Sequence, residues 1–257
     1  MQDLKVSLIQ TKQFWEDKQA NLQHFEEKLQ KVSEDTDIII LPEMFHTSFS
    51  MNSSELAEKM EGTGINWLKN KAKSHNVAFV ASLIIEENKN YYNRMVFVAP
   101  NGAIHTYDKR KLFGLAKEDN HYSPGGKNTI VNYKGWKILL QVCYDLRFPE
   151  LARNRVEEDG NPLYDLVIYV ANWPESRSLQ WKTLLQARAI ENQSYVVAVN
   201  RVGSDKKGLD YSGDSSVINA LGDVLARESY EEVIIEEVLS VEDLKETRKK
   251  LPFLKDG

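Results

Sequence analysis

Short apolar runs alternate with amphipathic stretches along almost the whole chain, and that alternation leaves few architectures open. Ile38-Ile39-Ile40-Leu41 is apolar at every position, as in a strand covered on both faces of its sheet. Residues 138–142, 165–171 and 195–200 read in a similar way, and further strands are expected at 6–10, 77–86, 95–99, 103–107, 215–219 and 233–238. Between them, residues 17–33 carry Leu22, Phe25, Leu29 and Val32 at helical spacing, and 65–75 and 179–192 also read as helices. Pro100-Asn101-Gly102 and Tyr133-Lys134-Gly135-Trp136 mark hairpin turns. No Pro/Gly/Ser linker, repeat or low-complexity stretch interrupts the series. The expectation is one α/β domain over residues 1–257 with helices outside a mixed sheet system. Residues 241–257, a short basic helix followed by Pro252 and Phe253, are expected to engage the core least and to pack on a partner subunit.

Charge narrows the partners. The net charge of −5 is spread over a chain with no basic cluster, which disfavours a nucleic-acid binder. No apolar run is long enough to span a bilayer. Met1-Gln2-Asp3-Leu4-Lys5 leads into a strand without a signal-peptide pattern, and there is one cysteine. The expected compartment is the cytoplasm.

That cysteine, Cys143, ends the run Ile138-Leu139-Leu140-Gln141-Val142 and leads directly into Tyr144-Asp145-Leu146-Arg147-Phe148-Pro149-Glu150. A lone thiol cannot form an intrachain disulfide or a multi-thiolate metal site, so it is either an inert buried residue or a reactive one. A strand end that turns into a helix start is where α/β enzymes expose a nucleophile. Two other strands end on reactive side chains: Leu41-Pro42-Glu43 and Tyr107-Asp108-Lys109. Taken singly, Glu43 reads as a capping carboxylate and Lys109 as part of a solvated basic turn. Together the three form an acyl-transfer set. A carboxylate takes the thiol proton, a lysine cation steadies the oxyanion, and the Tyr144 backbone N–H donates to the same oxygen.

Glu43, Lys109 and Cys143, in this order and context, resemble the Glu-Lys-Cys triad of the nitrilase superfamily of carbon–nitrogen hydrolases. The resemblance extends through Ala171-Asn172-Trp173-Pro174 and Gln186-Ala187-Arg188-Ala189-Ile190-Glu191-Asn192, and within the superfamily it points to the bacterial omega-amidase branch. It implies a four-layer αββα sandwich, a homodimer or larger homo-oligomer, and a small-molecule amide substrate with no metal or organic cofactor. The omega-amidase branch implies 2-oxoglutaramate or 2-oxosuccinamate, cleaved to the 2-oxo dicarboxylic acid and ammonia. The family's second glutamate falls on Glu118 when Ser123-Pro124-Gly125 is the anchor. Lys111 departs from the histidine that many relatives carry there.

Around the triad, Phe45, Phe113 and Trp173 are candidate pocket aromatics, with core packing as their ordinary alternative. Arg147 and Arg177 are candidate partners for a substrate carboxylate, although Arg147 is better suited to bracing the nucleophile turn through Glu150 or another acid, and Arg177 is equally suited to the surface. A carbamoyl amino acid, deaminated glutathione or a nitrile are the other substrates the resemblance leaves open. A Cys-His protease is disfavoured, because none of His24, His46, His75, His105 and His121 has a protease-like context. A catalytically silent interaction module would be favoured only if a triad residue were replaced.

Overall fold

The computed structural model describes residues 1–158 and 160–256. The first half of the chain runs β1 (Leu4–Gln10), α1 (Lys18–Leu29), β2 (Ile38–Ile40), α2 (Ser53–Leu56), α3 (Thr63–His75), β3 (Ala78–Glu87), β4 (Asn90–Val98) and β5 (Ile104–Asp108). The second half runs β6 (Ile130–Tyr133), β7 (Trp136–Val142), β8 (Leu166–Val170), α4 (Ser178–Asn192), β9 (Tyr195–Val199), β10 (Val202–Ser204), β11 (Asp210–Ile218), β12 (Val224–Ser229), β13 (Val233–Leu239) and α5 (Val241–Lys250). Among the described residues these strands form two sheets. The first has the order β13-β1-β2-β3-β4-β5, and the second β10-β11-β9-β8-β7-β6 with β12 on β11. Strands β1, β2 and β3 are parallel, as are β7, β8 and β9.

Side-chain alternation sets the layers. Leu8, Ile40, Val80 and Phe97 of the first sheet share an apolar core with Ile138, Leu140, Ile168 and Val170 of the second. The opposite face of the first sheet, through Ile9, Ile39, Phe79 and Val96, buries Phe25 and Leu29 of α1 and Ile65, Leu68 and Ala72 of α3. Helix α4 covers the second sheet, where it lies over β9 and β11. The result is the expected four-layer αββα sandwich, and it explains why β2, β8 and β9 are buried at every position.

Local chemistry fixes the ends. Asp17 caps α1 by accepting from the Ala20 N–H at 2.9 Å. Lys134 and Gly135, at φ +49° and +85°, form the two-residue hairpin between β6 and β7, with the positive φ pair that matches strand twist. Asn88 and Lys89 do the same between β3 and β4, at φ +52° and +65°, so β4 begins at Asn90 rather than at residue 95. The short strand β10 and the exposed strand β12 were not foreseen either.

The C-terminal segment departs from expectation. Val241 and Leu244 of α5 join the main core, Arg248 pairs with Asp165 at 2.6 Å, and Gln193 donates to the Leu251 carbonyl at 2.6 Å. The helix therefore docks on its own sandwich, because Val241, Leu244 and Leu254 turn inward and Arg248 finds a partner. Phe253 remains exposed, and Gly257 lies outside the described residues. Among these residues no helix is long and apolar enough to cross a membrane.

Candidate active site

Four loops converge at one edge of the sandwich. Glu43 follows β2, Lys109 follows β5, Cys143 follows β7 and Asn172 follows β8. Each loop leaves the C-terminal end of its strand, the edge at which α/β sheets assemble sites. Cys143 itself has φ +46°, a conformation that non-glycine residues adopt at a cost and that is concentrated at functional turns. It opens a 3-10 turn, Cys143–Arg147, and a second follows at Pro149–Leu151. No α-helix follows the cysteine, so the expected helix start is two tight turns instead.

Beneath Cys143 lies a closed charge cluster. Lys109 Nζ donates to Glu43 Oε1 at 3.0 Å and to both carboxylate oxygens of Glu118 at 2.9 Å. All three side chains are fully buried. Burial opposes the lysine charge, but Glu118 and Glu43 outweigh it and hold the ammonium proton more firmly than usual. Glu118 also accepts from the Phe113 N–H at 2.6 Å, and so anchors the loop that forms one wall of the site. The sequence anchor thus found a residue that the fold brings onto Lys109.

The cysteine is not a resting thiolate. Burial pushes the Cys143 thiol well up, Glu43 pushes it further, and Lys109 opposes both only in part. A protonated thiol needs a base within reach. Asn172 touches both partners: its N–H donates to Glu43 Oε2 at 2.8 Å, and its carbonyl accepts from Cys143 Sγ at 3.9 Å.

Asp145 ties the turn to the lysine loop. Its carboxylate accepts from the Val142 N–H at 3.1 Å, from the Lys111 N–H at 2.8 Å and from the Tyr107 hydroxyl at 2.8 Å. One buried acid therefore fixes the strand end before Cys143 and the segment after Lys109. Burial pushes it up to about 6 against these donors.

A cleft opens above Cys143 and Lys109. Phe113, Tyr144, Arg147, Trp173 and Arg177 line it. Arg147 lies over the Trp173 ring at 4.9 Å and Arg177 over Phe113 at 5.3 Å. Glu150 is taken by Lys111 at 3.6 Å, so the alternative of Arg147 bracing the turn through Glu150 does not hold. Lys111 packs on Phe148 at 4.5 Å and does not line the cleft. Phe45 is a correction. It is fully buried on the helix side of the first sheet, where it stacks on His46 and meets Phe25 and Trp67. The turn at Met44, φ +45°, swings it away from the cleft. Phe49, whose ring lies 5.1 Å from Lys109 Nζ, takes the place that sequence reasoning gave to Phe45.

With this geometry in view, comparison with known proteins is decisive. A family model for carbon–nitrogen hydrolases matches residues 5–249. The chain belongs to the carbon–nitrogen hydrolase family. It is 43% identical to a protein named Omega-amidase YafV from Escherichia coli K12, over 100% of this chain and 98% of that one. It is 35% identical to a 2-oxoglutaramate amidase from Bacillus subtilis, over 92% and 90% of the two chains. Among solved structures, XC1258 from Xanthomonas campestris superposes with a TM-score of 0.98 at 39% identity, covering 100% of this chain and 98% of that one. XC1258 is described as a CN-hydrolase superfamily protein with an arsenic adduct in its active site.

Two site residues of this hydrolase escaped sequence reasoning as individuals. Asn93 donates to Glu43 Oε1 at 2.7 Å, and Asn172 holds Glu43 at both its main chain and its carboxylate. Asn172 lies in a motif that carried the resemblance, so its neighbourhood was flagged. Asn93 had no such signal. Among the described residues, no group of three or more His, Cys, Asp or Glu side chains is arranged to hold a metal ion.

Proposed function

We propose that this carbon–nitrogen hydrolase is an omega-amidase that cleaves 2-oxoglutaramate or 2-oxosuccinamate to the 2-oxo dicarboxylic acid and ammonia. Cys143 attacks the amide carbon as Glu43 takes its proton. Lys109 and the Tyr144 N–H, near the start of a turn whose first N–H groups have no partner within it, hold the oxyanion. Glu43 returns the proton to the departing nitrogen, and a thioester remains on Cys143. Water activated by Glu43 then releases the acid. Glu118 keeps Lys109 and the Phe113 loop in register.

The observation that carries the chemistry is the buried cluster: Lys109 Nζ 3.0 Å from Glu43 and 2.9 Å from Glu118, on the floor of the cleft that also holds the cysteine. The substrate class is supported by the two omega-amidase-type relatives and by the cleft cations. Arg147 and Arg177 stack on aromatic rings, and among the described residues neither has a carboxylate in ion-pair range. A carboxylate-bearing amide would supply the missing partner.

The deciding measurement is kcat/KM across 2-oxoglutaramate, succinamate, glutamine, a carbamoyl amino acid and an aliphatic nitrile. The carboxylate-bearing ω-amides should lead by about 10²-fold or more over a simple nitrile, because a site built to pair a polar group rejects an analogue lacking it. A nitrile or carbamoyl compound turned over faster than both ω-amides would overturn the substrate while leaving the thiol chemistry standing.

We further read the protein as a cytoplasmic homodimer. Leu179 and Ile190 of α4 and the nearby Leu221 are exposed apolar side chains, consistent with a second copy covering that helix. A monomer mass by light scattering at micromolar concentration would contradict the dimer.

A further inference from the structure

The two carboxylate oxygens of Glu43 have different surroundings. Oε1 accepts from Asn93 Nδ2 at 2.7 Å and from Lys109 Nζ at 3.0 Å. A carboxylate oxygen has two lone pairs, so Oε1 is fully engaged. Oε2 accepts only from the Asn172 N–H, at 2.8 Å, among the described residues, and keeps one lone pair. Asn172 is also the residue whose carbonyl meets Cys143 Sγ at 3.9 Å. The free lone pair therefore belongs to the oxygen whose partner also touches the thiol.

Asn93 makes the carboxylate one-sided. It sits buried on β4, and its carbonyl accepts the Lys109 N–H at 3.0 Å. Its amide nitrogen reaches both acids, Glu43 Oε1 at 2.7 Å and Glu118 Oε1 at 3.4 Å. Its Oδ1 is buried without a hydrogen-bond partner among the described residues. Turning the amide over would set Oδ1 against two carboxylate oxygens. The amide is thus locked with its donor toward the acids, and the orphaned Oδ1 is the cost of that orientation.

We propose that Asn93 is a positioning residue that occupies Oε1 of Glu43, so that Oε2 alone carries the proton between Cys143 and the leaving nitrogen. In acylation the S–H bond breaks, its proton passes to Oε2, the Sγ–C bond forms, and the carbonyl π pair moves onto the oxyanion. On collapse the C–N bond breaks, and the Oε2 proton goes to nitrogen. The titratable groups facing Glu43 are Lys109, Glu118, Cys143 and Tyr122. Asn93 and the Asn172 N–H are the neutral donors, one to each carboxylate oxygen. Loss of Asn93 vacates a position on Oε1, which then competes with Oε2 for the proton in the wrong place.

This inference rests on the thiol chemistry proposed above but not on the substrate, so its test uses alkylation of the thiol, which requires no amide hydrolysis. The rate of Cys143 alkylation by iodoacetamide is followed from acid to alkaline pH in the wild type, Asn93→Leu and Asn93→Asp, with thermal melts beside it. The alkylation profile should change in both variants: the rate near neutral pH should fall roughly tenfold in Asn93→Leu, where the base oxygen is no longer fixed toward the thiol, and further in Asn93→Asp, which adds a like charge beside it. With whichever amide is turned over, kcat should fall roughly 10- to 100-fold while KM stays within about threefold, the scale of a misplaced catalytic group. Asn93→Asp keeps the native shape and supplies the answer if Asn93→Leu fails to fold. An alkylation profile that stays in place, with kcat falling only as the folded fraction falls, would reduce Asn93 to a structural residue and overturn the proposal.

Discussion

Cys143→Ala is expected to abolish turnover and leave the fold intact. The side chain is small and sits at the edge of the core, so removing one sulfur disturbs little packing. Alanine tolerates φ +46° about as poorly as cysteine does, so the backbone cost is unchanged. The chemistry has no substitute nucleophile, because this is the chain's single thiol. The loss should be on the order of 10⁶-fold, as when a serine hydrolase loses its serine. Cys143→Ser should be nearly as inactive, since Glu43 would have to deprotonate an alcohol far less acidic than a thiol. A purified Cys143→Ala protein that melts like the wild type and keeps more than about a tenth of its kcat would end the nucleophile assignment, because a true nucleophile loss is orders of magnitude larger.

Lys109→Met has the second largest expected effect, and it acts on stability as well as rate. Losing an oxyanion partner costs roughly 10²–10³ in kcat. A lysine in a solvated basic turn, the reading of Lys109 taken singly, could be replaced at little cost in stability. The structure instead puts its ammonium between two buried carboxylates at 3.0 and 2.9 Å. Removing one partner from a buried ion pair typically costs about 3–5 kcal/mol, so a clear drop in melting temperature should accompany the lost activity. Adding Glu118→Gln to Lys109→Met removes one of the stranded charges. That double variant should recover part of the stability and none of the rate. Unchanged kcat with only KM raised would make Lys109 a substrate-binding residue.

Much of the fold was legible because burial on both faces writes itself as unbroken apolar runs. Ile38–Ile40, Leu166–Val170 and Tyr195–Val199 leave little else for those residues to be. Helices α1, α3 and α4 followed from apolar spacing and ended within a few residues of expectation. The edges were less readable. Strand β12 is mostly exposed and has no apolar alternation to betray it. The Asn88–Lys89 turn, without glycine, hid the start of β4. In the site, the charged and nucleophilic residues stood out because each ends a strand, where a reactive side chain is conspicuous. Asn93 and Asn172 did not, since an asparagine has no periodic signature and their bonds to Glu43 span 50 and 129 residues. Phe45 misled because adjacency to Glu43 says nothing about direction, and the left-handed turn at Met44 decides it. The C-terminal tail reads as the part that engages the core least, yet Val241, Leu244 and Arg248 are enough to dock its short helix.

The central claim is that every turnover passes through a thioester on Cys143. It is tested most directly by adding hydroxylamine during hydrolysis of succinamate and of the matching methyl ester, which carry no keto group to condense with the reagent. A common acyl-enzyme predicts that both substrates give hydroxamate and acid in the same ratio, rising in proportion to hydroxylamine, while ammonia or methanol release proceeds regardless. Ratios that differ between amide and ester, or turnover with no hydroxamate at any hydroxylamine concentration, would mean that water attacks the substrate directly and that Cys143 never carries the acyl group.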